Sequence, residues 1–459
     1  MKFYDREKEF EALGRLSGDF RIAVVGRRRV GKTALVENFY KGKCVVFFVS
    51  AEKSEKEMIG GWAAEYPDLH LPAVGSFREF FDFVFFHFKD RVVFIDELQN
   101  FAKVNKSFFY DLQRLIDKHR PRLVVSGSII STMKRLVEDY KSPIYGRFDY
   151  VIKLGELDFR TVCKICKDLG LGFEEALKLY SVFGGIPKYY ELVEKTRGFK
   201  FEEFVASSFV SYPRPLYEEV KTMLKEEFGS EYKTFFSILS AVSQGKNKQS
   251  EIAGFLGKKQ TDITKYLALL RDDFEFLERK TPLFGGGRKG VYAIRNSLFQ
   301  YWFSQVWKYS EFLETLQEER AEKIVKNNLH GHVSRSFERI VLELITNKMV
   351  FGEFGFTRVG SQWGKFKGEP GKNTYEIDVV AIDEDSGTAV FCECKWQERV
   401  NAAEIAKDLA EKAGHVEWRQ DSRKEVYAVF AKSFSRKIAE FEGKPVKCFD
   451  LKDLEQKVR

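Results

Sequence analysis

No stretch of this 459-residue chain stays apolar for the ~18 residues that a membrane span needs. The richest run, Phe80-Phe-Asp-Phe-Val-Phe-Phe86, is short and broken by Asp82. No membrane partner is expected. The opening residues, Met1-Lys-Phe-Tyr-Asp-Arg-Glu7, have no signal-peptide core, so a cytoplasmic protein is expected. Cysteine is scarce: six residues in a chain this long do not make a disulfide framework. Cys163 and Cys166 form one C-x-x-C inside a helical pattern. No second pair completes a zinc site, and the two are read as packing.

What is present is an ordinary soluble composition, 44% hydrophobic and 31% charged. The length suits about three domains at ~150 residues each. A net charge of +8 permits nucleic-acid binding without requiring it. Abundant Lys and Glu are a weak hint of a thermophilic source.

The chain is organised around Arg21-Ile-Ala-Val-Val-Gly-Arg-Arg-Arg-Val-Gly-Lys-Thr33. Ile22 to Val25 reads as a buried strand. Gly26, Gly31, Lys32 and Thr33 then fit G-x-x-x-x-G-K-[ST], and helical periodicity resumes from Ala34. Strand, glycine loop and helix are the context that separates this motif from a chance turn. Glycines let backbone N–H groups close on phosphate oxygens, and the helix N-terminus adds partial positive charge. The loop residues Arg28, Arg29 and Val30 are candidate nucleotide contacts beside them. Lys32 is expected at the β- and γ-phosphates, with the Thr33 hydroxyl on Mg²⁺. A helix over residues 3–13, which carries Arg6, is placed to lie against the adenine.

Arg91-Val-Val-Phe-Ile-Asp-Glu-Leu-Gln-Asn100 is a strand ending in two acids. Asp96 is expected to hold the water shell of Mg²⁺, and Glu97 to polarise an attacking water. Leu123-Val-Val-Ser-Gly-Ser128 is a further strand. Ser126 or Ser128 faces the γ-phosphate, or Ser128 caps the next helix. Arg147 contacts phosphate or a neighbouring subunit, or makes a surface salt bridge. A helical pattern over residues 157–220 reads as a lid, within which Pro187 presses on the base or starts a helix.

Taken together, Asp5-Arg-Glu7, the phosphate loop, Ile95-Asp-Glu-Leu-Gln99, Ser126-Gly-Ser128, Pro143-Ile-Tyr-Gly-Arg147 and Gly184-Gly-Ile-Pro187 resemble the archaeal ATPase family, within the AAA+ and STAND nucleotide switches. The resemblance covers residues 1–225. It implies ATP or ADP held between an α/β core and a helical lid, with Pro187 near the nucleotide.

Beyond residue 230 the pattern changes. Helices over 232–243, 250–256 and 260–270, then strands over 276–283 and 291–295 around a glycine loop, make a winged-helix pattern. Basic residues outnumber acidic ones between 221 and 300, 14 to 9. Lys258, Lys259, Gln260, Thr261, Thr264 and Lys265 are expected to face a DNA groove, with Arg288 and Lys289 on the wing at phosphates. The alternative is an arm that packs on its own core. An aromatic, helical stretch over 301–330 reads as a connector.

The last part carries a second constellation. A helix over 333–345 holds Glu338. Strands follow at Tyr375-Glu-Ile-Asp-Val-Val-Ala381 and Ala389-Val-Phe-Cys-Glu-Cys-Lys-Trp396. Alternation puts Glu393 and Lys395 on one face, beside Asp378. Asp378 and Glu393 would hold Mg²⁺, and Lys395 would orient or deprotonate its water. These residues resemble the PD-(D/E)xK nuclease superfamily over residues 331–459, with Ile377 where that pattern has proline. The bland alternatives are a surface Glu–Lys pair on a half-buried strand, or the same fold without cleavage. After Trp396 the chain reads as a helix (402–413), a strand (425–431), a helix (435–441), a short strand and a helical tail.

The expected architecture is therefore α/β: a P-loop NTPase parallel sheet (1–155) with a helical lid (156–225), a winged helix (226–300), a connector (301–330) and a C-terminal restriction-endonuclease-like α/β domain (331–459). Two functions fit. One is an ATPase switch coupled to DNA binding and metal-dependent DNA cleavage. The other is a nucleotide-gated scaffold that grips DNA, a protein partner or a second copy without cutting.

Overall fold

The computed structural model describes residues 2–458 except 197, 286–289, 316 and 367–372. Five strands form the first sheet: β1 (Arg21–Val25), β2 (Cys44–Phe48), β3 (Val92–Asp96), β4 (Leu123–Gly127) and β5 (Tyr150–Lys153), in the order β2-β3-β4-β1-β5. Every pairing is parallel. The central strands are mostly apolar and almost wholly buried because helices cover both faces, with polar residues only at their ends. On one face Phe47, Trp62, Phe80, Phe81, Phe101 and Phe108 interlock. Because β1 lies between β4 and β5, the loop after β1 emerges at the carboxyl edge of the sheet with the ends of both neighbours beside it.

Five helices follow, ending with Pro215–Phe228. Helices Tyr232–Ser243, Gln249–Phe255 and Gln260–Asp272 precede a hairpin of β6 (Leu277–Lys280) and β7 (Val291–Ile294). That is the element order expected of a winged helix. Arg288 and Lys289 lie outside the described residues.

The end of the connector and the helix that bears Glu338 prove to be one helix, Glu318–Thr346, running through the expected division at residue 330; short helical segments from Trp302 to Glu314 precede it. Asn327, Asn328 and Gly331 are poor helix formers. Burial overrides them: Ala321, Val325, Leu329, His332, Phe337, Ile340 and Leu344 keep one apolar stripe under cover. Each gap in that stripe would forfeit more than the ~1 kcal/mol a mid-helix glycine costs.

The second sheet is mixed. β8 (Arg358–Lys365), β9 (Thr374–Asp383) and β10 (Thr388–Lys395) run antiparallel to one another. Short β11 (Val400–Asn401) and helix Ala402–Ala413 then cross to β12 (Lys424–Ala431), parallel to β10. The helix expected over 435–441 is not formed. Phe434–Arg436 is β13, paired with β11; Glu440–Phe441 is β14, paired with β15 (Lys444–Phe449). Seven residues give a helix little beyond its costly nucleus. Glu442 (φ 50°) and Gly443 (φ 76°) instead supply the two left-handed positions of a tight hairpin turn.

One apolar core, from Leu157 to Val458, joins the lid helices, the hairpin unit, helix Glu318–Thr346 and one face of the second sheet. His332 is buried in it, with Nε2 at 2.9 Å from the Ser181 carbonyl and the ring edge-on to Tyr301. Burial pulls its pKa from 6.5 down to about 4. The folded value lies below the unfolded one, so stability is full above about pH 6.5 and falls as pH drops toward 4. The expected loss is ~3 kcal/mol. His332→Gln, which keeps a donor for Ser181, should melt with a flatter pH dependence across that window. A pH profile identical to wild type would contradict this.

Candidate functional site: a phosphate loop under a charged helix

Gly26 is required at the mouth of β1, where an added Cβ would sit 2.5 Å from the Leu154 carbonyl oxygen. Gly31 has φ +95°, and Arg29 is also left-handed at φ 71°. Helix Lys32–Tyr40 then begins, with the Gly31 carbonyl accepting from Leu35 at 2.9 Å. The first-turn N–H groups of Lys32, Thr33 and Ala34 have no intrahelical partner, the usual equipment of an anion-binding helix start.

At the far side of the loop the Thr33 hydroxyl donates to Asp96 Oδ2 at 2.6 Å. The other Asp96 oxygen accepts from the Glu97 amide at 3.1 Å and from Ser126. Hydroxyl and carboxylate thus converge as a hard divalent cation would want them. Lys32 is buried, and its Nζ rests on the Arg27 carbonyl at 3.2 Å. Burial lowers its pKa, and the charges of Glu97 and Asp96 oppose that fall.

Glu97 has a left-handed backbone (φ 61°) that turns its side chain toward β4. Its carboxylate accepts from the Ser128 hydroxyl at 2.7 Å, the Ser128 amide at 3.3 Å and Gln99. Ser128 therefore does not cap the next helix, whose N-cap is Ile129 without a side-chain bond. Ser126 and Ser128 each hold one of the two strand-end acids.

Arg6, Arg147 and Pro187 are placed by contacts within the chain. Arg6 does not face outward for a base. At φ 81° it tucks beneath the loop and donates to the carbonyls of Val30 (3.2 Å) and Gly155 (2.8 Å), bracing the loop from behind. The first helix accordingly starts at Glu7 rather than residue 3. Arg147 makes a two-pronged salt bridge to Asp117, at 2.9 and 3.0 Å. Pro187 is the first residue of helix Pro187–Glu194.

The loop arginines point at later parts of the chain. Arg28 lies 3.4 Å from Glu226 and Arg29 lies 2.6 Å from Glu219. Both acids are on helix Pro215–Phe228, which covers the loop. Tyr189 also donates to Glu219, at 3.3 Å. A narrow cleft remains, lined by Arg27, Arg28, Ser128, Met223, Glu226 and Phe276. Arg27, which the sequence gave no reason to single out, is the most buried of the three arginines.

The surface of helix Gln260–Asp272 is open: Lys258, Lys259, Gln260, Thr261, Thr264 and Lys265 are all exposed. The hairpin, by contrast, is docked. Leu283 donates through its amide to the Ser361 carbonyl on β8 at 3.1 Å, and Phe284 to Gln362 at 2.9 Å. Arg358 bonds the Leu283 carbonyl and stacks 4.6 Å from the Phe284 ring. This part of the wing is an anchor on the second sheet. Leu283 and Phe284, two apolar residues entering a glycine loop, were the available signal.

In the second sheet the expected acids do meet. The ladder between β9 and β10 ends with Cys392 opposite Val379, and by that register Asp378 and Glu393 face each other at its mouth. Asp378 accepts from the Cys394 amide at 2.7 Å. Glu393, nearly buried, accepts from Lys395 at 2.7 Å and from Lys412 of helix Ala402–Ala413 at 2.8 Å. Burial, then Glu393, pushes Asp378 up to about 6; burial, then Asp378, pushes Glu338 up to about 7, with Lys280 of β6 near enough to oppose the rise. Among the described residues no group of three or more His, Cys, Asp or Glu side chains is arranged to hold a metal ion. Lys412 and Lys280 had no signal in the sequence.

A parallel five-stranded sheet with Thr33, Asp96 and a left-handed glycine loop at its carboxyl edge is a P-loop NTPase fold. Residues 20–163 match the family model described as AAA domain. Residues 302–407 match a family described as archaeal and bacterial proteins of unknown function. An uncharacterized protein of Methanocaldococcus jannaschii is 29% identical over 464 residues, spanning 98% of this chain and 99% of its own. Among solved structures, the Walker-type ATPase of Pyrococcus abyssi superposes with a TM-score of 0.52 at 17% identity, covering 66% of this chain and 96% of that one. The ORC2 protein of Aeropyrum pernix is a weaker match, with a TM-score of 0.41 at 13% identity over 72% of this chain and 95% of that one. No helix among the described residues is long and apolar enough to cross a membrane.

Lys412→Met leaves half of a buried carboxylate unpaired. It should lower the urea midpoint, at a cost of about 1–3 kcal/mol. Adding Glu393→Gln should recover most of that loss. Equal midpoints for Lys412→Met and wild type would show that the contact contributes nothing.

Proposed function

We propose that the chain is an ATP-driven switch whose output is the binding of DNA. The observation that carries this reading is the 2.6 Å contact between Thr33 and Asp96 beneath the glycine loop. It brings together the two side chains that would hold Mg²⁺ beside a triphosphate, inside a stretch that matches the AAA model. ATP would lie on the loop amides, with Lys32 leaving the Arg27 carbonyl for the β- and γ-phosphates. Thr33 and Asp96 would hold Mg²⁺, which neutralises developing charge on the phosphates when bound. Glu97 would orient the attacking water after giving up Ser128. Closure by helix Pro215–Phe228 excludes water from the crevice.

The exposed basic face of helix Gln260–Asp272 supports DNA as the partner, with Lys258, Lys259 and Lys265 at phosphates. The antiparallel β8-β9-β10 run, flanked by helices Glu318–Thr346 and Ala402–Ala413 and followed by parallel β12, supports the nuclease-like reading of the last part. Asp378 and Glu393 are hard oxygen donors of the type Mg²⁺ takes, and the metal would polarise a phosphodiester there. Lys395 would hold the water, and Glu338 would sit at the rim. One observation favours the second reading, in which this part grips without cutting: both Glu393 oxygens are engaged by ammonium groups.

Two measurements test these readings. Lys32→Ala should abolish equilibrium binding of a fluorescent ATP analogue, while Glu97→Gln should bind it and lose at least about a hundredfold in turnover. Undiminished affinity in Lys32→Ala would refute the nucleotide site. In a plasmid-nicking assay with Mg²⁺ or Mn²⁺, cutting that disappears in Asp378→Ala and Lys395→Ala would establish the nuclease. Absence of metal-dependent cutting with ATP, ADP or neither would leave the gripping reading.

A further inference from the structure

The segment that joins helix Gln260–Asp272 to the hairpin is tied to both walls of the phosphate crevice. On one wall is Arg27, the loop residue that follows Gly26. Its guanidinium donates to the carbonyls of Phe274 (3.0 Å) and Glu275 (2.9 Å). It also lies 4.2 Å from the centre of the Phe276 ring and 5.6 Å from that of Phe299. On the other wall, Lys134 of helix Ile130–Val137 donates to the Asp272 carbonyl and to Glu275, each at 2.7 Å. Glu227 closes the gap by accepting from the Ser131 amide at 3.2 Å.

A guanidinium in a phosphate loop would ordinarily sit in water or on phosphate. Here it lines the cleft and spends its donors on two carbonyls, and burial of the guanidinium lowers its pKa despite the charges of Glu227, Glu156 and Glu275 around it. Such desolvation costs several kcal/mol unless the partners are well placed. Two carbonyls and two ring faces meet that condition. The backbone of the same residue faces the other way, and its carbonyl accepts from Lys32. One residue thus holds the end of helix Gln260–Asp272 with its side chain and the phosphate-binding lysine with its main chain.

We propose that Arg27 is a positioning residue that links occupancy of the phosphate loop to helix Gln260–Asp272. When Lys32 moves to a triphosphate, the Arg27 carbonyl loses its donor and the loop backbone there is free to adjust. The adjustment reaches residues 272–276 through the guanidinium. By linkage, a macromolecule seated on the exposed face of that helix changes nucleotide affinity by the same factor that nucleotide changes its own. This rests on the reading that a triphosphate binds at Lys32; it does not depend on what the last domain does.

Amide hydrogen exchange of the full-length chain, with and without ATP and magnesium, tests it. In wild type, exchange over residues 260–276 should change by at least about fivefold when ATP is added. Arg27→Met should lose that change while binding the fluorescent ATP analogue within about fivefold of wild type. Arg27→Lys keeps the charge, but its ammonium sits one bond short of the nitrogen that meets both carbonyls and has no planar face to lay on the Phe276 ring, so it should transmit only a small part of the change. It also serves as the second variant should Arg27→Met not fold, as its thermal melt would reveal. The proposal is overturned if either folded variant transmits the full change. It is overturned equally if wild type binds ATP with no change over 260–276. Failure of wild type to bind ATP at all sinks the nucleotide reading first, and this inference with it.

Discussion

Covering a cationic loop demands compensating charge, and that demand shapes the crest of the first sheet. Arg27, Arg28, Arg29 and Lys32 fall within six consecutive positions. Taken out of water together they would repel one another strongly. Helix Pro215–Phe228 answers with Glu219, Glu226 and Glu227, whose i, i+7, i+8 spacing puts them on one side. From below, Asp96 and Glu97 answer Lys32. These carboxylates offer what phosphate offers, negative oxygen acceptors at bonding distance. A triphosphate would therefore enter in competition with groups of its own kind, and what holds the cover down is also what nucleotide chemistry is able to replace.

The distribution of apolar contacts decides where such a replacement can be felt. The first sheet keeps its two cores to itself, one built on Phe47, Phe80 and Phe81 and the other on Ile22, Leu35 and Phe94. The rest of the chain shares a single core from Leu157 onward, in which lid, hairpin unit, helix Glu318–Thr346 and second sheet are continuous. Polar ties dominate the boundary between the two masses: the arginine–glutamate pairs, Lys134 on Asp272, Arg27 on Phe274 and Glu275. Dispersion and hydrophobic contacts resist any displacement, whereas ion pairs and hydrogen bonds exchange partners at little net cost. The line along which partners are exchangeable is therefore the line between the nucleotide domain and everything else. The hairpin anchor extends that logic, because Leu283 and Phe284 bind the hairpin unit to β8 and move it with the second sheet.

Much of this was legible before any coordinates. The glycine loop, the Asp96–Glu97 strand end and the Asp378, Glu393 and Lys395 set were readable because their chemistry demands fixed residue types at short spacings. Period-2 and period-3.6 patterns located most helices and the central strands of both sheets, but not β5, β8, β11, β13 or β14. What escaped reading depends on long-range packing. The expected division at residue 330 cuts one continuous helix, because sequence patterns are local, whereas the burial of Leu329 and Val333 that keeps the helix continuous is not. Residues 435–441 looked helical for the same reason. Arg27, Arg28 and Arg29 read alike as loop arginines, and nothing in the sequence could tell that one would be buried against Phe276 while another reached Glu219. The bracing of the loop by Arg6 from behind was not legible, because its left-handed backbone is set by the turn it makes and not by its own residue type.

The carboxylate cluster of the second sheet shows how far geometry alone can discriminate between the two readings of that domain. Glu393 is held by Lys395 from its own strand and by Lys412 from the last turn of a helix. The end of that helix is itself fastened, since Arg423 donates to the carbonyls of Ala413, Val416 and Trp418. A cation at a helix C-terminus also suits the dipole there. Lys412 is thus presented rigidly, and its bond to a nearly buried carboxylate is not a chance surface pairing. Lys395 and Lys412 sit on Glu393 and Lys280 on Glu278, so a gripping role asks that these ammonium groups exchange a carboxylate for a phosphodiester oxygen. A cutting role asks that one ammonium release Glu393 so that the freed oxygen can join Asp378 on a cation. The difference between nuclease and clamp therefore comes down to whether Lys412, the more rigidly backed of the two, or Lys395, beside it on β10, gives way.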